Sequence, residues 1–228
     1  ASLKLSGWSD SRTSEKYTIE LETEAPASIN TQFNAHTFAV NSEEGTFPTT
    51  GFTGATFTIV PKDSKSASDY TWAVDTGWVS VTDGVVKFTG TGTGSKVTIT
   101  GTPTNGQGKI IKYSFTLKSW YINNGSNKMI WPDANTYCSS LGYSLPTVAQ
   151  LTNSTWQSSG SHNQSRAANA GLWSEWGNVQ NYSGFPSNDA WSSEENNSIY
   201  HYHVSLSNGG VGVYIDYYSN YVVCRQEI

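Results

Sequence analysis

The sequence predicts a mainly β protein: a β-sandwich followed by a smaller α+β unit. Three observations point there. From about 26 to 118 the chain is a series of short Val/Thr/aromatic runs separated by Gly, Asp, Asn and Pro. Between 131 and 151 stand the clearest helix signals. From 156 to 225 a Trp/Asn/Ser-rich region ends in strand-like alternation.

The strands of the first part are HTFAV (36–40), ATFTIV (55–60), YTWAV (70–74), VVKFTG (85–90) and KVTIT (96–100). The last run, KIIKYSFTLKSW, is the cleanest. Ile111, Tyr113, Phe115 and Leu117 point one way, and Lys112, Ser114, Thr116 and Lys118 the other. This spacing predicts an immunoglobulin-like sandwich without the inter-sheet cysteine pair of antibody domains, with Trp72 or Trp78 in the core position. Residues 1–25 fit either a hairpin or the tail of a preceding domain. No Gly/Ser or Pro-rich tether separates Leu117 from Trp120, so a stiff joint is expected there. The expected domains are therefore 1–118 and 119–228.

The second part opens with a helix. Ala134, Tyr137, Cys138 and Leu141 share one face of a 3.6-residue period. Pro132 suits the first turn, Asp133 the positive end of the dipole, and Gly142 the left-handed stop. Thr147 and Gln150 have capping-box spacing for a second helix, with Val148 and Leu151 inward. LWSEWG and DAWSSE are expected as short strands. Tyr200, Tyr202, Val204 and Leu206 then alternate with His201, His203 and Ser205, and 211–217 and 220–225 complete an antiparallel sheet. Asn208-Gly209 and Ser219-Asn220 supply its turns.

Composition bounds the function. Charged residues are 14%, aromatics 13% and Trp nine, a balance that suits β-rich extracellular proteins. Net charge is −5 with no run of Lys or Arg, which argues against nucleic acid as a partner. No apolar stretch reaches the roughly 18 residues needed to cross a bilayer, and no signal peptide opens the chain. The chain is expected to be either cytosolic or a piece of a longer exported protein, the second fitting its composition better. Its only cysteines, Cys138 and Cys224, lack zinc-site spacing. Two buried thiols fit, and so does one bridge pinning the first helix to the last strand. The bridge implies an oxidising compartment.

At this point the residues match a family. WPDANTYCSSLGYSLPTVAQL resembles the first-helix region of C-type lectin-like domains, and YVVCRQ their closing strand with its Cys. FPTTGFTGATFTIV, YTWAV, WVSV and NGQGKIIKYSFTLKSWYINNG resemble the last immunoglobulin-like domain of the bacterial invasin and intimin adhesins. The similarity covers residues 45–228. It implies an immunoglobulin-like domain followed by a lectin-like tip of a bacterial outer-membrane adhesin. Such adhesins are held by a β-barrel anchor and a stalk, and membrane attachment would come only through that anchor. The implied partner is a host protein, either a cell-surface one (an integrin or another receptor) or a secreted one such as an immunoglobulin. The partner does not transfer with the fold, and no RGD occurs in the chain.

Site chemistry narrows the reading further. Calcium-dependent lectins place E-P-N or Q-P-D before W-N-D, because Ca²⁺ takes six to eight oxygens. Neither motif is present, and Asn188, Asp189, Glu194 and Glu195 in PSNDAWSSEE lack the proline-flanked pair. His201-x-His203 could face a metal from one side of a strand but has no third ligand, so two solvent-facing histidines are expected. No G-x-S-x-G, H-E-x-x-H or phosphate loop appears, so no catalysis and no cofactor is expected. The aromatic loops between 156 and 198 offer Trp, Tyr and Arg of the kind that anchor interfaces. Trp173, Trp176 and Trp191 are expected in the core. His162, Arg166, Tyr182, Phe185 and Asp189 are expected at a partner-binding surface, with aromatics for sugar stacking as the alternative.

Overall fold

A computed structural model describes residues 21–31, 36–158, 163–182, 185 and 188–228. The first part holds β1 (Thr23–Glu24), β2 (Ser28–Thr31), β3 (His36–Ala39), β4 (Thr50–Gly51), β5 (Thr56–Val60), β6 (Tyr70–Val74), β7 (Val79–Thr82), β8 (Val85–Phe88), β9 (Val97–Pro103) and β10 (Ile110–Phe115). The second holds β11 (Ser119–Asn123), α1 (Trp131–Ser140), α2 (Val148–Leu151), α3 (Leu172–Trp176), β12 (Asp189–Asn197), β13 (Tyr200–Ser205), β14 (Val211–Ile215) and β15 (Val223–Glu227).

The first part is a sandwich of two sheets, ordered β1-β10-β9-β6 and β3-β2-β5-β8-β7. Alternation in β10 puts Ile111, Tyr113 and Phe115, with Leu117 just beyond, in the core. Ser114 is buried too, because Glu44 bridges beside it and Gly45 donates to its carbonyl. The proposed hairpin at the amino terminus lies largely outside the described residues. The sandwich has its immunoglobulin-like form, but neither Trp72 nor Trp78 fills its centre. Both are only partly buried against it. Phe57, Phe88 and Phe115 occupy the centre instead, and Trp176 from α3 enters from the second part, 6.2 Å from the Phe57 ring and 5.9 Å from Phe88.

The second part is small and mixed. β11 lies between β15 and β4, so one short strand of the first part, β4, joins the sheet of the second. A three-stranded sheet, β12-β13-β14, packs beside it. α1 starts with Pro132 and Asp133 in its first turn and ends before Gly142, whose φ of 75° is left-handed. Ala134 and Cys138 are buried as the period requires. Leu141 is not. It caps the helix rather than belonging to it, and is 47% exposed. The Thr147–Gln150 capping box forms in full and Leu151 is buried behind it. DAWSSE is a strand, within β12, but LWSEW is a helix. All five of its residues are buried, so it shows neither a two-residue nor a 3.6-residue period, and Gly171 (φ 100°) and Gly177 (φ 70°) bound it.

Cys138 and Cys224 form a disulfide, with Cα atoms 5.4 Å apart across a sequence separation of 86. A closure of that length stabilises by about 4–5 kcal/mol in the chain-entropy model. Trp191, Ala134, Leu145 and Val222 pack around it.

Candidate binding surface

Two places in the second part concentrate aromatic and charged side chains: the joint with the sandwich, and the end of the molecule opposite it. β11 fixes which is which. Its first residues lie beside β4, and its last residue, Asn123, pairs with Val223 where β15 begins. The loops at 124–130 and 216–222 therefore sit at the distal end.

The joint is built around Glu175. Its carboxylate is fully buried and accepts hydrogen bonds from the Thr50 amide (2.8 Å) and hydroxyl (2.6 Å), the Thr49 amide (3.0 Å) and the Asn169 amide (3.0 Å). Burial raises its pKa above the ordinary carboxylate value, and these hydrogen bonds oppose that rise. Trp176 donates its indole N–H to the Thr50 hydroxyl at 3.0 Å. Arg166 spans the joint: its Nη2 reaches the Thr31 hydroxyl at 2.8 Å and the Glu175 carbonyl at 3.0 Å. The rings of Tyr182 and Phe185 stand 5.3 and 4.7 Å from Phe52 of the sandwich.

This corrects three of the expected partner-binding residues. Tyr182 (1% exposed) and Phe185 (8%) are core, and Arg166 is half-buried with its guanidinium committed. The physical reason is that the sandwich itself supplies the surface they dock on. His162 lies outside the described residues. Asp189 is at the distal side, where its Oδ2 accepts from the Tyr214 hydroxyl at 3.1 Å and lies 3.6 Å from His203 Nδ1. Trp173, Trp176 and Trp191 are buried as expected.

The histidines are also corrected. His201 and His203 are buried, not solvent-facing. They share a face of β13 as i and i+2, but that face is covered. Trp131 stacks on His201 at 3.6 Å, and Tyr214 on His203 at 4.1 Å. His201 Nδ1 is 2.7 Å from Asp216 Oδ1. Among the described residues no group of three His, Cys, Asp or Glu is placed to hold a metal ion. The Glu194 carboxylate instead accepts from the Val148 amide.

This layer of paired rings and carboxylates backs an exposed patch. Ile199 (46%), Ile215 (36%), Tyr217 (74%) and Tyr218 (49%) stand out from it. The backbone beneath is fixed: Asp216 donates to the Ile199 carbonyl, Trp131 to the Asp216 carbonyl, and Tyr218 to the Ile215 carbonyl. The Tyr218 ring lies 4.6 Å from Tyr214, and Lys128 sits 4.8 Å over the ring of Tyr221 nearby. Sequence reasoning passed over Tyr217-Tyr218 as strand end and turn. The available signal was their adjacency: a strand would bury one of the two, whereas a turn bounded by Asp216 and Ser219 exposes both.

A second feature lies on the other face of β13. Trp156 (38% exposed) meets Tyr202 edge-on at 6.4 Å and helps line a cavity of about 370 Å³ with Val148, Asn153, Glu194 and Val211.

Comparison with known proteins fits this architecture. The family described as invasin, domain 4, matches residues 27–115. The inverse autotransporter adhesin YeeJ of Escherichia coli (strain K12) is 36% identical over 190 residues, 80% of this chain and 8% of that protein. The crystal structure of invasin, described as a bacterial integrin-binding protein, superposes with a TM-score of 0.72 at 24% identity, over 90% of this chain and 39% of that one. A 282-residue C-terminal fragment of intimin, solved with the intimin-binding domain of the translocated intimin receptor, gives 0.59 at 16% identity, over 90% of this chain and 66% of that one. The chain thus spans only a small part of the adhesin it matches in sequence. With its immunoglobulin-like sandwich joined to a disulfide-latched, C-type lectin-like second part, the chain belongs to the invasin and intimin family of bacterial adhesins.

Proposed function

We propose that this chain is the outer part of a bacterial surface adhesin and docks a host protein through its lectin-like end, without calcium and without turnover. In this reading domains 1–118 and 119–228 act as one stiff body, held to the outer membrane by a barrel anchor elsewhere in the protein. The carrying observation is the exposed, rigidly backed aromatic patch of Tyr217 and Tyr218 at the end farthest from the sandwich. Large, rigid aromatic side chains with a polar tip are what interface anchors use. Integrin binding by invasin and receptor binding by intimin support a host protein as the partner class. The calcium-free reading is supported by the engagement of Asp189 with Tyr214 and of Glu194 with the Val148 amide.

The test is attachment of the purified chain to host cells, with and without chelator, for wild type and Tyr217→Ala/Tyr218→Ala. Chelator-resistant attachment that the double variant loses is expected. Attachment abolished by chelator, or unchanged in the double variant, overturns the proposal. The cavity between Trp156 and Tyr202 favours a second reading, a carbohydrate site, because an exposed indole beside hydrogen-bonding groups suits a sugar face. Glycan-array binding lost in Trp156→Ala but kept in the tyrosine variant would select it.

A further inference from the structure

The cavity beside Trp156 lies where α2, the segment after it and the strands β12, β13 and β14 meet. Its volume, about 370 Å³, is at the small end of the range of about 300–1,000 Å³ for ligand pockets. It therefore suits one side chain or one small group rather than an extended ligand. The Trp156 and Tyr202 rings stand 6.4 Å apart with their planes at 60°, so they form a corner rather than a stack. Trp156 is exposed and Tyr202 half-buried.

The polar lining is unevenly occupied. The Asn153 side chain, a group suited to forking a pair of sugar hydroxyls, is spent on Ser165. Its Nδ2 donates to the Ser165 hydroxyl at 2.9 Å and its Oδ1 accepts from the Ser165 amide at 3.0 Å. Thr152 is spent too, donating to the Gly209 carbonyl and accepting from the Ser154 amide. Ser154 differs. It is 3% exposed, and its hydroxyl has no hydrogen-bond partner among the described residues. A buried polar group left in this state points to a missing partner.

The charge is one-sided. Glu194 is exposed: its Oε2 accepts from the Val148 amide, and its Oε1 has no hydrogen bond among the described residues. The lining holds no Lys, Arg or His, and no ion pair among the described residues involves Glu194. An unpaired carboxylate beside two aromatic rings is the recognition chemistry of an organic cation. A guanidinium fits it better than an ammonium. It is flat, so it stacks on an aromatic face, and its several N–H groups can reach a carboxylate and a hydroxyl together.

We propose that this cavity takes an arginine side chain of the host protein. The guanidinium lies against Trp156 and Tyr202, pairs with Glu194, and donates to the Ser154 hydroxyl once that group turns about its Cα–Cβ bond. The chain's net charge of −5 favours a basic segment of this kind. The inference rests on the adhesion reading for the source of the arginine, and it competes with the sugar reading for the same cavity. It adds a second contact to the Tyr217–Tyr218 patch.

NMR on the full chain tests it, read at the Trp156 indole N–H signal, which Trp156→Phe identifies. The probes are acetyl-Gly-Arg-Gly-amide, its lysine and citrulline counterparts, and methyl glycosides of mannose, galactose and glucose. The arginine peptide is expected to shift that signal saturably and to bind more tightly than the lysine peptide. It should bind about fivefold more tightly than the citrulline peptide, which keeps the shape and loses the charge. Glu194→Gln keeps an acceptor for the Val148 amide. It should weaken the arginine peptide about fivefold and lower attachment to host cells with the Tyr217–Tyr218 patch intact. An unmoved signal, citrulline binding as tightly as arginine, or full affinity in Glu194→Gln overturns the proposal. So does a glycoside that moves the signal where the arginine peptide does not. Lysine binding as tightly as arginine overturns the choice of guanidinium, and unchanged attachment in Glu194→Gln overturns the host protein as its source. Peptide binding needs no host cell, so the two readings fail separately. A chain that attaches while its Trp156 signal ignores the peptide loses the pocket alone, and one that binds the peptide without attaching loses the adhesion reading.

Discussion

The joint and the distal end of the second part draw on the same alphabet, Trp, Tyr, Asp or Glu, and Asn, yet one is core and the other is surface. At the joint, Trp176, Tyr182 and Phe185 meet Phe47 and Phe52, and the sandwich closes over them. At the distal end, Trp131, His201, Tyr214 and His203 form an equivalent layer, and the large apolar side chains beyond it, Ile199, Ile215, Tyr217 and Tyr218, are exposed. Aromatic content therefore does not mark an interface. What marks it is whether another part of the chain supplies the opposing face.

If the joint is core, breaking it should be the costliest change in the molecule. Trp176→Ala removes a fully buried indole that touches five aromatic rings, Phe47, Phe52, Phe57, Phe88 and Tyr182. A loss of about 3–5 kcal/mol is expected in urea denaturation, with the sandwich destabilised although the mutation lies outside it. Replacing both Cys138 and Cys224 by Ala should cost about 2–5 kcal/mol and loosen the distal end, because α1 and β15 lose their link. A joint variant that leaves the sandwich's unfolding midpoint unchanged would show that the two parts fold independently.

Glu175 sharpens the comparison through pH. Burial holds its pKa above the ordinary carboxylate value, so the folded chain keeps this proton to higher pH than the unfolded chain does. Its contribution to stability is then fully present below the unfolded value of about 4.5 and is lost as pH rises through the folded value. Glu175→Gln cannot titrate, and its amide N–H₂ meets donors such as the Asn169 amide, costing about 1–3 kcal/mol. The stability gap between wild type and variant should widen as pH falls from neutral into the acid range. A gap that narrows on acidification would mean that the six donor contacts, not burial, set this group's pKa.

Much of this was legible in the sequence. Strand alternation located β5, β6, β8, β9 and β10, and capping residues located α1 and α2, because those signals are local. α3 was not legible, since a short helix buried on every side has no period. Nor could Arg166, Tyr182 and Phe185 be read as joint residues: what buries them is Thr31 and Phe52, well over a hundred residues away in sequence. The histidines failed for the same reason. Alternation set His201 and His203 on one face of β13, but only the fold lays Trp131 and Tyr214 over that face.

The distal end should respond in the opposite way from the joint. Tyr217 has 74% of its surface in solvent and Tyr218 49%, so truncating either leaves no core cavity. Tyr217→Ala should change stability by no more than about 0.5 kcal/mol. Tyr218→Ala should cost slightly more, because its ring leans on Tyr214 at 4.6 Å. Attachment to host cells should nonetheless fall, since an anchor's contribution is realised only when a partner covers it. Thermal melts and attachment assays on the same preparations separate the two effects. Equal stability with reduced attachment fits a surface that awaits its other half, whereas a large stability loss would place these tyrosines with Trp176 in the core.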